Sequence, residues 1–486
     1  MRFTPTPAQN LLNSRWLLPG ALAVALLGGW LSGQLGLAVP SLILATPLIV
    51  AFLVVIFNNP RSGYITAVVY SFLLSYLTRH FIDLPAGTAM EIILVLTWIA
   101  VLFHQTIRPD WRRIHNDLCR ITVIWFVINI LEVANPAGAS VQGWFFELRG
   151  SALIWFMAVP LCFMVFNTKR DLNLFLYLII GISVFGALYG INQKVNGVDE
   201  MEQLWLNRGG AVTHVIWGQL RAFSFYSEAA QFGSSMAYAA LICGILAIGP
   251  FSWQKRALLA VAALVMIYGM LVSGTRGAFF VLVVGAFVYL VLSKRVAILI
   301  LGCFLAAGAF GVLKYTKIGD TNPNVFRMRT ALDPNDPSLL VRLENQAILR
   351  DYMSSRPFGG GMGVMGNWGK LYNRDKFLST IAPDSYFVKV WGHYGIVGFI
   401  IWFGFMLYIL GKCAGIVWRI RDPVLRQKLL ALTAGYAGIL MASYGNEIMN
   451  QYPSSLLLYT SWVFVFLGPT LDTPKPVTTL ARAVYA

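Results

Sequence analysis

The stretch ALLAVAALVMIYGMLVSGTRGAFFVLVVGAFVYLVL, residues 257–292, decides how this chain folds. Two apolar runs, 257–272 and 278–292, flank the polar insert Ser273-Gly274-Thr275-Arg276-Gly277. Each run approaches the about 20 apolar residues that a helix needs to cross a bilayer. An insert this short can only turn the chain, so the pattern is span, reversal, span, with one guanidinium at the reversal. Short loops outside a membrane normally shed Lys and Arg. Two readings of Arg276 stand: a binding group for an anion, or an interfacial arginine reaching lipid phosphate along its aliphatic stem.

Moving outward, the same kind of run recurs along the chain. With 57% hydrophobic and 12% charged residues and a mean hydropathy of +0.67, the class is an all-α, polytopic transmembrane helix bundle. The runs number about 12–14, from 17–39 and 42–57 at the start, through 152–166 and 296–313, to 385–410, 429–444 and 455–467 at the end. Four segments follow: N-terminal spans in 1–191, core spans in 192–313 with an external loop at 192–226, a large external loop at 314–384, and C-terminal spans with a tail in 385–486.

Alternate loops carry the basic residues: Arg61, then Arg112 and Arg113, then Lys169 and Arg170, Lys255 and Arg256, Lys294 and Arg295, and later Lys412 to Lys428. The intervening short loops hold almost none, so both termini are expected in the cytoplasm. The net charge of +16 is mostly this dispersed loop charge, and no basic cluster with interleaved aromatics speaks for nucleic acid. Cys119, Cys162, Cys243, Cys303 and Cys413 have no disulfide or metal spacing. No metal or cofactor is expected. The first run lacks a cleavage site and reads as an uncleaved anchor.

Orientation by charge places the two long connections outside. In the larger, Asp336-Pro337 is a helix-start pattern, and Arg342, Gln346 and Arg350 follow at four-residue spacing along one side of a helix over 337–354. Arg221 precedes the span that opens near Glu228, and Asp384 precedes the span after the large loop. Several arginines and two acids thereby share one membrane face. Arginine's planar fork binds phosphate oxygens bidentately and stays charged, so the set Arg221, Arg276, Arg342 and Arg350 suits a diphosphate held at the membrane plane by a lipid tail. Cations placed there stabilise a departing phosphate, and Asp384 or Glu228 beside them could take a proton from an attacking hydroxyl. Each has an ordinary alternative: a solvated helix face for Arg342 and Arg350, a dipole-favoured acid for Glu228, a cap for Asp384, a packed histidine for His393, and a flexible turn for 359–363.

The order of Arg221-Ala-Phe with Glu228, Ser273-Gly-Thr-Arg276-Gly, a large loop with Arg342 and Pro357-Phe358-Gly359-Gly360-Gly361-Met362-Gly363, then Gly392-His393-Tyr394-Gly395-Ile396-Val397-Gly398 resembles the O-antigen ligase and O-antigen polymerase superfamily of bacterial membrane glycosyltransferases. The resemblance implies transfer of a glycan from undecaprenyl diphosphate on the periplasmic side of the inner membrane, with Arg221, Arg276 and Arg342 at the diphosphate. It further implies a lipid-linked oligosaccharide donor, a glycan acceptor, and an upstream flippase and chain-length regulator as partners. Ligases of the family commonly carry a His-Asn pair before the helix that follows the large loop. This chain has Asp384-Ser385 there, which turns the expectation toward a polymerase of surface polysaccharide or exopolysaccharide. A ligase acting on a lipid or protein acceptor is the second expectation. A polysaccharide transporter is the third, and the concentration of polar residues in the external loops speaks against it.

Overall fold

A computed structural model describes residues 38–81, 86–104, 109–216, 218–294, 337–383 and 385–472, with isolated residues between 308 and 335, and the backbone alone at 38–45, 337–339 and 341–342. The expected runs at 17–39 and at 296–313 therefore lie largely outside the described residues. What is described is almost entirely helical. The long helices are α1 Ala38–Asn58, α2 Pro60–His80, α3 Ala86–Leu102, α4 Asp117–Leu131, α5 Val141–Val165 and α6 Lys169–Asn196. They continue with α7 Ala229–Ala247, α8 Trp253–Val272, α9 Arg276–Leu292, α10 Pro337–Met353, α11 Tyr386–Arg419, α12 Pro423–Ala442 and α13 Ser454–Phe466. One two-residue hairpin pairs Val215–Ile216 with Gln219–Leu220.

Among the described residues, five helices are long and apolar enough to cross a membrane: α5, α6, α7, α8 and α11. In α7, 94% of the apolar window is buried. Its sequence AAQFGSSMAYAALICGILA is rich in Ala, Gly and Ser, which let neighbouring backbones approach closely where lipid offers no hydrophobic drive. Helices α8, α9 and α12 pack around it. A Cβ added at Gly438 of α12 would lie 2.4 Å from the Val281 carbonyl of α9, so the α9–α12 contact needs glycine there. By contrast α8 buries one side and exposes Leu258, Val261, Leu264 and Tyr268 on the other. Such a surface is matched to hydrocarbon, since the helix satisfies its own backbone.

Polar contacts gather at the two ends of the bundle. At one end Arg61 pairs with Asp171 at 2.5 Å, Lys169 with Asp422 at 2.5 Å and Lys412 with Asp117 at 2.7 Å, while Arg426 donates to the Leu292 carbonyl at 2.8 Å. These basic residues are the ones that alternate along the sequence. At the opposite end Arg149 pairs with Glu91 at 2.5 Å, and Arg79 donates through Nη2 to the Ser224 carbonyl at 2.7 Å and through Nη1 to that of Tyr226.

Two element bounds differ from expectation for identifiable reasons. Helix α5 begins at Val141, not 152, because Glu147 and Arg149, which break the apolar run in sequence, are both neutralised by partners and a π turn at Arg149–Leu153 continues the helix. Helix α11 runs on to Arg419, past the expected 410, across a break at Gly395 with φ 65°.

Candidate functional site

The segment 221–228 is held by buried polar groups. The Gln193 side-chain oxygen accepts from the amides of Phe223 at 3.2 Å and Ser224 at 2.7 Å, and Ser224 takes a left-handed φ of 52° with its hydroxyl on the Gly186 carbonyl at 2.8 Å. Arg221 donates to the carbonyls of Ser273 at 3.2 Å and Thr213 at 3.0 Å, and to Thr275 Oγ1 at 3.1 Å. It thereby braces the 273–277 turn. Thr275 Oγ1 in turn donates to the Ala229 carbonyl at 2.9 Å, which ties the start of α9 to the start of α7.

Glu228 occupies the N-cap position of α7 but makes no side-chain cap. The first amide, Ala229 N–H, is capped by His214 Nε2 at 3.2 Å. Glu228 instead accepts from the Gln451 side-chain amide at 3.2 Å, while Gln451 accepts from Ser227 Oγ at 2.9 Å. The dipole explanation of Glu228 thus leaves its carboxylate turned to another element.

The two glycine-rich motifs dock on each other. Gly360 N–H donates to the Gly392 carbonyl at 2.9 Å, Gly361 N–H to the His393 carbonyl at 3.0 Å, and Val397 N–H to the Pro357 carbonyl at 3.2 Å. The break in α11 leaves those groups without intrahelical partners, and the loop supplies them. The 359–363 segment is therefore a fitted clamp rather than a free turn. Gly359, Gly361 and Gly363 have φ of 82°, 89° and 75°, and a Cβ at Gly359 would stand 2.3 Å from the His393 carbonyl. Behind the clamp, Leu349 and Met353 of α10 pack with Val364, Met365, Leu378 and Ile381.

This clamp seats the first turns of α11, which carry Lys389. Its ammonium lies 3.1 Å from Glu147 Oε1 of α5 and 3.0 Å from Glu447 Oε2 in the α12–α13 connection. Ser151 Oγ donates to Glu147 Oε1 at 2.8 Å. Burial holds the Glu447 carboxyl above its ordinary pKa; the Lys389 charge opposes this and the neighbouring Glu147 and Glu228 charges add to it.

Glu228, Lys389, Glu447, Asn446, Gln451, Trp368 and Lys370 line one cavity of about 700 Å³. Trp368, on the short helix Gly366–Tyr372, stacks on Phe146 at 4.7 Å and 18°. Gly277 stands against the same wall, since a Cβ there would lie 2.8 Å from Asn446 Nδ2. Its neighbour Arg276 is half-buried at the first position of α9.

Of the residues singled out from sequence, Glu228 lines this cavity, the 273–277 turn that carries Arg276 meets it through Gly277 and Asn446, and Arg221 binds that turn at Ser273 and Thr275. Arg350 stays on the exposed face of α10, 3.8 Å from Asp351. Arg342 lies on α10 with its side chain outside the described atoms, and Asp384 lies outside the described residues. The N-cap of α11 is Ser385, whose side chain accepts from Val388 N–H at 3.4 Å. His393 is packed, 1% exposed. Lys389, Glu147 and Glu447 escaped the sequence reading, although ionisable residues within or beside apolar runs are themselves a signal. Among the described residues no group of three His, Cys, Asp or Glu is arranged to hold a metal.

Residues 261–403 match the sequence profile of the O-antigen ligase family, an interval that takes in α8, α9, the large loop and α11 to Phe403. An O-antigen polymerase of Salmonella muenchen is 27% identical over 188 residues, 38% of this chain and 45% of the relative. Over residues 261–403 the chain is similar to the O-antigen ligase and polymerase superfamily. The alignment spans less than half the length of that relative. Within the matched interval lie Arg276, the glycine clamp and Lys389; Glu228, Glu447 and Gln451 reach the cavity from outside it.

Proposed function

We propose that this protein transfers a glycan from an undecaprenyl-diphosphate carrier at the periplasmic face of the inner membrane, extending a surface polysaccharide or exopolysaccharide by one lipid-linked repeat unit at a time. The observation that carries the reading is the meeting of the Arg276 turn, braced by Arg221, with a polar cavity at one end of the bundle. A guanidinium at that edge clamps the diphosphate and stabilises the charge that develops on it as the sugar leaves. Arg342 of the loop is the further arginine that the family likeness assigns to the diphosphate, and Asp384 and Glu228 are the acids it assigns near the acceptor. A flippase that delivers the lipid-linked unit and a regulator of chain length are the partners such a reaction calls for.

Lysine keeps the charge of arginine but loses the two-pronged hydrogen bonding, worth about 1.5–3 kcal/mol at a charged partner. Arg276→Lys should therefore lower kcat/KM for a lipid-diphosphate oligosaccharide by roughly 10- to 100-fold. An unchanged rate in a purified assay would remove the diphosphate clamp from this site. A ligase passing finished glycan to a lipid or protein acceptor is the second reading, favoured by the description of the matching family as O-antigen ligase.

A further inference from the structure

The lining of the cavity around Lys389 and Glu447 has a different character from the Arg276 turn that borders it at Asn446. Glu147 and Glu447 surround the single ammonium of Lys389, so this buried group carries net negative charge and Glu228 adds another acid nearby. A diphosphate is disfavoured beside this acidic group, although Lys370 also lines the cavity. Hydroxyl groups are not: carboxylates accept from them, and the side-chain amides of Asn446 and Gln451 both donate and accept. Trp368, half-buried and fixed by its stack on Phe146, offers a flat apolar face. The volume of about 700 Å³ suits a sugar unit, falling inside the about 300–1,000 Å³ of small-molecule sites.

We propose that this wall is the acceptor-sugar subsite and that Glu447 within it takes the proton of the attacking hydroxyl, with Lys389 and Glu147 as positioning residues. The inference rests on the transferase reading above. Glu447 is the better-oriented base because a chain of contacts fixes it: Ser151 to Glu147 at 2.8 Å, Glu147 to Lys389 at 3.1 Å, Lys389 to Glu447 at 3.0 Å. Behind this chain sits His393, buried, its Nε2 without a hydrogen-bond partner among the described residues. Burial among like charges also keeps the Glu447 carboxyl ready to accept a proton. In the step, the acceptor oxygen bonds to the anomeric carbon while that carbon's bond to the diphosphate oxygen breaks. The electron pair leaves with the diphosphate, the hydroxyl proton passes to the Glu447 carboxylate, and water removes it afterwards.

The test uses the full chain purified in detergent, a synthetic undecaprenyl-diphosphate oligosaccharide as donor, and a lipid-linked single repeat unit as acceptor. Turnover by the unaltered protein establishes the transferase reading independently; absence of turnover removes that reading and this inference together. Given turnover, Glu447→Gln is expected to lower kcat at least 100-fold while leaving the affinity for undecaprenyl diphosphate, which carries no sugar, unchanged. Glu447→Asp should recover part of the rate, Glu147→Gln should displace the acid limb of the pH–rate profile, and Trp368→Ala should raise KM for the acceptor alone. A folded Glu447→Gln protein with kcat within threefold of the unaltered enzyme overturns the inference and leaves the transferase reading standing. Where Glu447→Gln does not fold, Glu447→Asp decides: an unchanged kcat and acid limb overturn the assignment.

Discussion

His214 is neutral in the folded protein, and its neutrality serves a structural purpose. Burial is the main cause that lowers its pKa to about 4, with the charges of Arg221 and Arg79 adding to the effect and the hydrogen bond to the Gly210 carbonyl opposing it. Only the neutral ring can donate from Nδ1 to Gly210 at 2.9 Å and accept at Nε2 from the first amide of α7 at 3.2 Å. A proton there would also place positive charge at a helix N-terminus. The folded state binds that proton less readily than the unfolded chain, whose imidazole titrates near 6.5. The stabilisation is therefore complete above about pH 6.5 and lost as the pH falls toward 4, by on the order of 3 kcal/mol. Thermal melting in detergent should show this acid loss, and His214→Gln, which cannot titrate, should flatten it. An identical acid loss in the variant would assign the effect elsewhere. Nothing in the local sequence around Val212-Thr213-His214 announces this cap, because the amide it serves lies fifteen residues on.

At the scale of elements, the break in α11 and the 359–363 clamp form one unit. Ala at Gly359 would combine a left-handed φ with a Cβ 2.3 Å from the His393 carbonyl. The conformation alone costs about 1–2 kcal/mol, so Gly359→Ala should lose more than about 2 kcal/mol of stability and lower the yield of folded protein. Gly404, farther along the same helix, has nothing within 4 Å of an added Cβ. Gly404→Ala should be neutral or stabilising by up to about 1 kcal/mol. Equal melting temperatures for the two variants would mean that the clamp bears no strain. The helix-start at Pro337 and the spans from α6 to α9 were legible as local patterns of apolar runs and caps. The start of α5 was not, because Glu147 and Arg149 read as loop charges until their partners on α11 and α3 are known.

For the molecule as a whole, the buried α7 and the outward apolar faces of α8 and α11 describe a bundle whose solvent is lipid and whose ion pairs, among the described residues, gather at its ends. Polymerisation and ligation differ in what accumulates when the chain is absent. A deletion strain of a polymerase should build up a single lipid-linked repeat unit, resolved by extraction and mass spectrometry. Long lipid-linked chains would instead support ligation. Hydropathy and alternating charge by themselves determined the helical class, the approximate spans and the arginine at the 273–277 turn, because each depends on neighbours along the chain. Only the tertiary structure decided that Glu228 turns from its own helix end toward Gln451, that Arg221 braces the 273–277 turn, and that Lys389 unites Glu147 with Glu447. Those residues lie 52 or more positions apart where they meet, as for Arg221 and Ser273, and a desolvated charge reveals its purpose only when its counter-charge is packed against it.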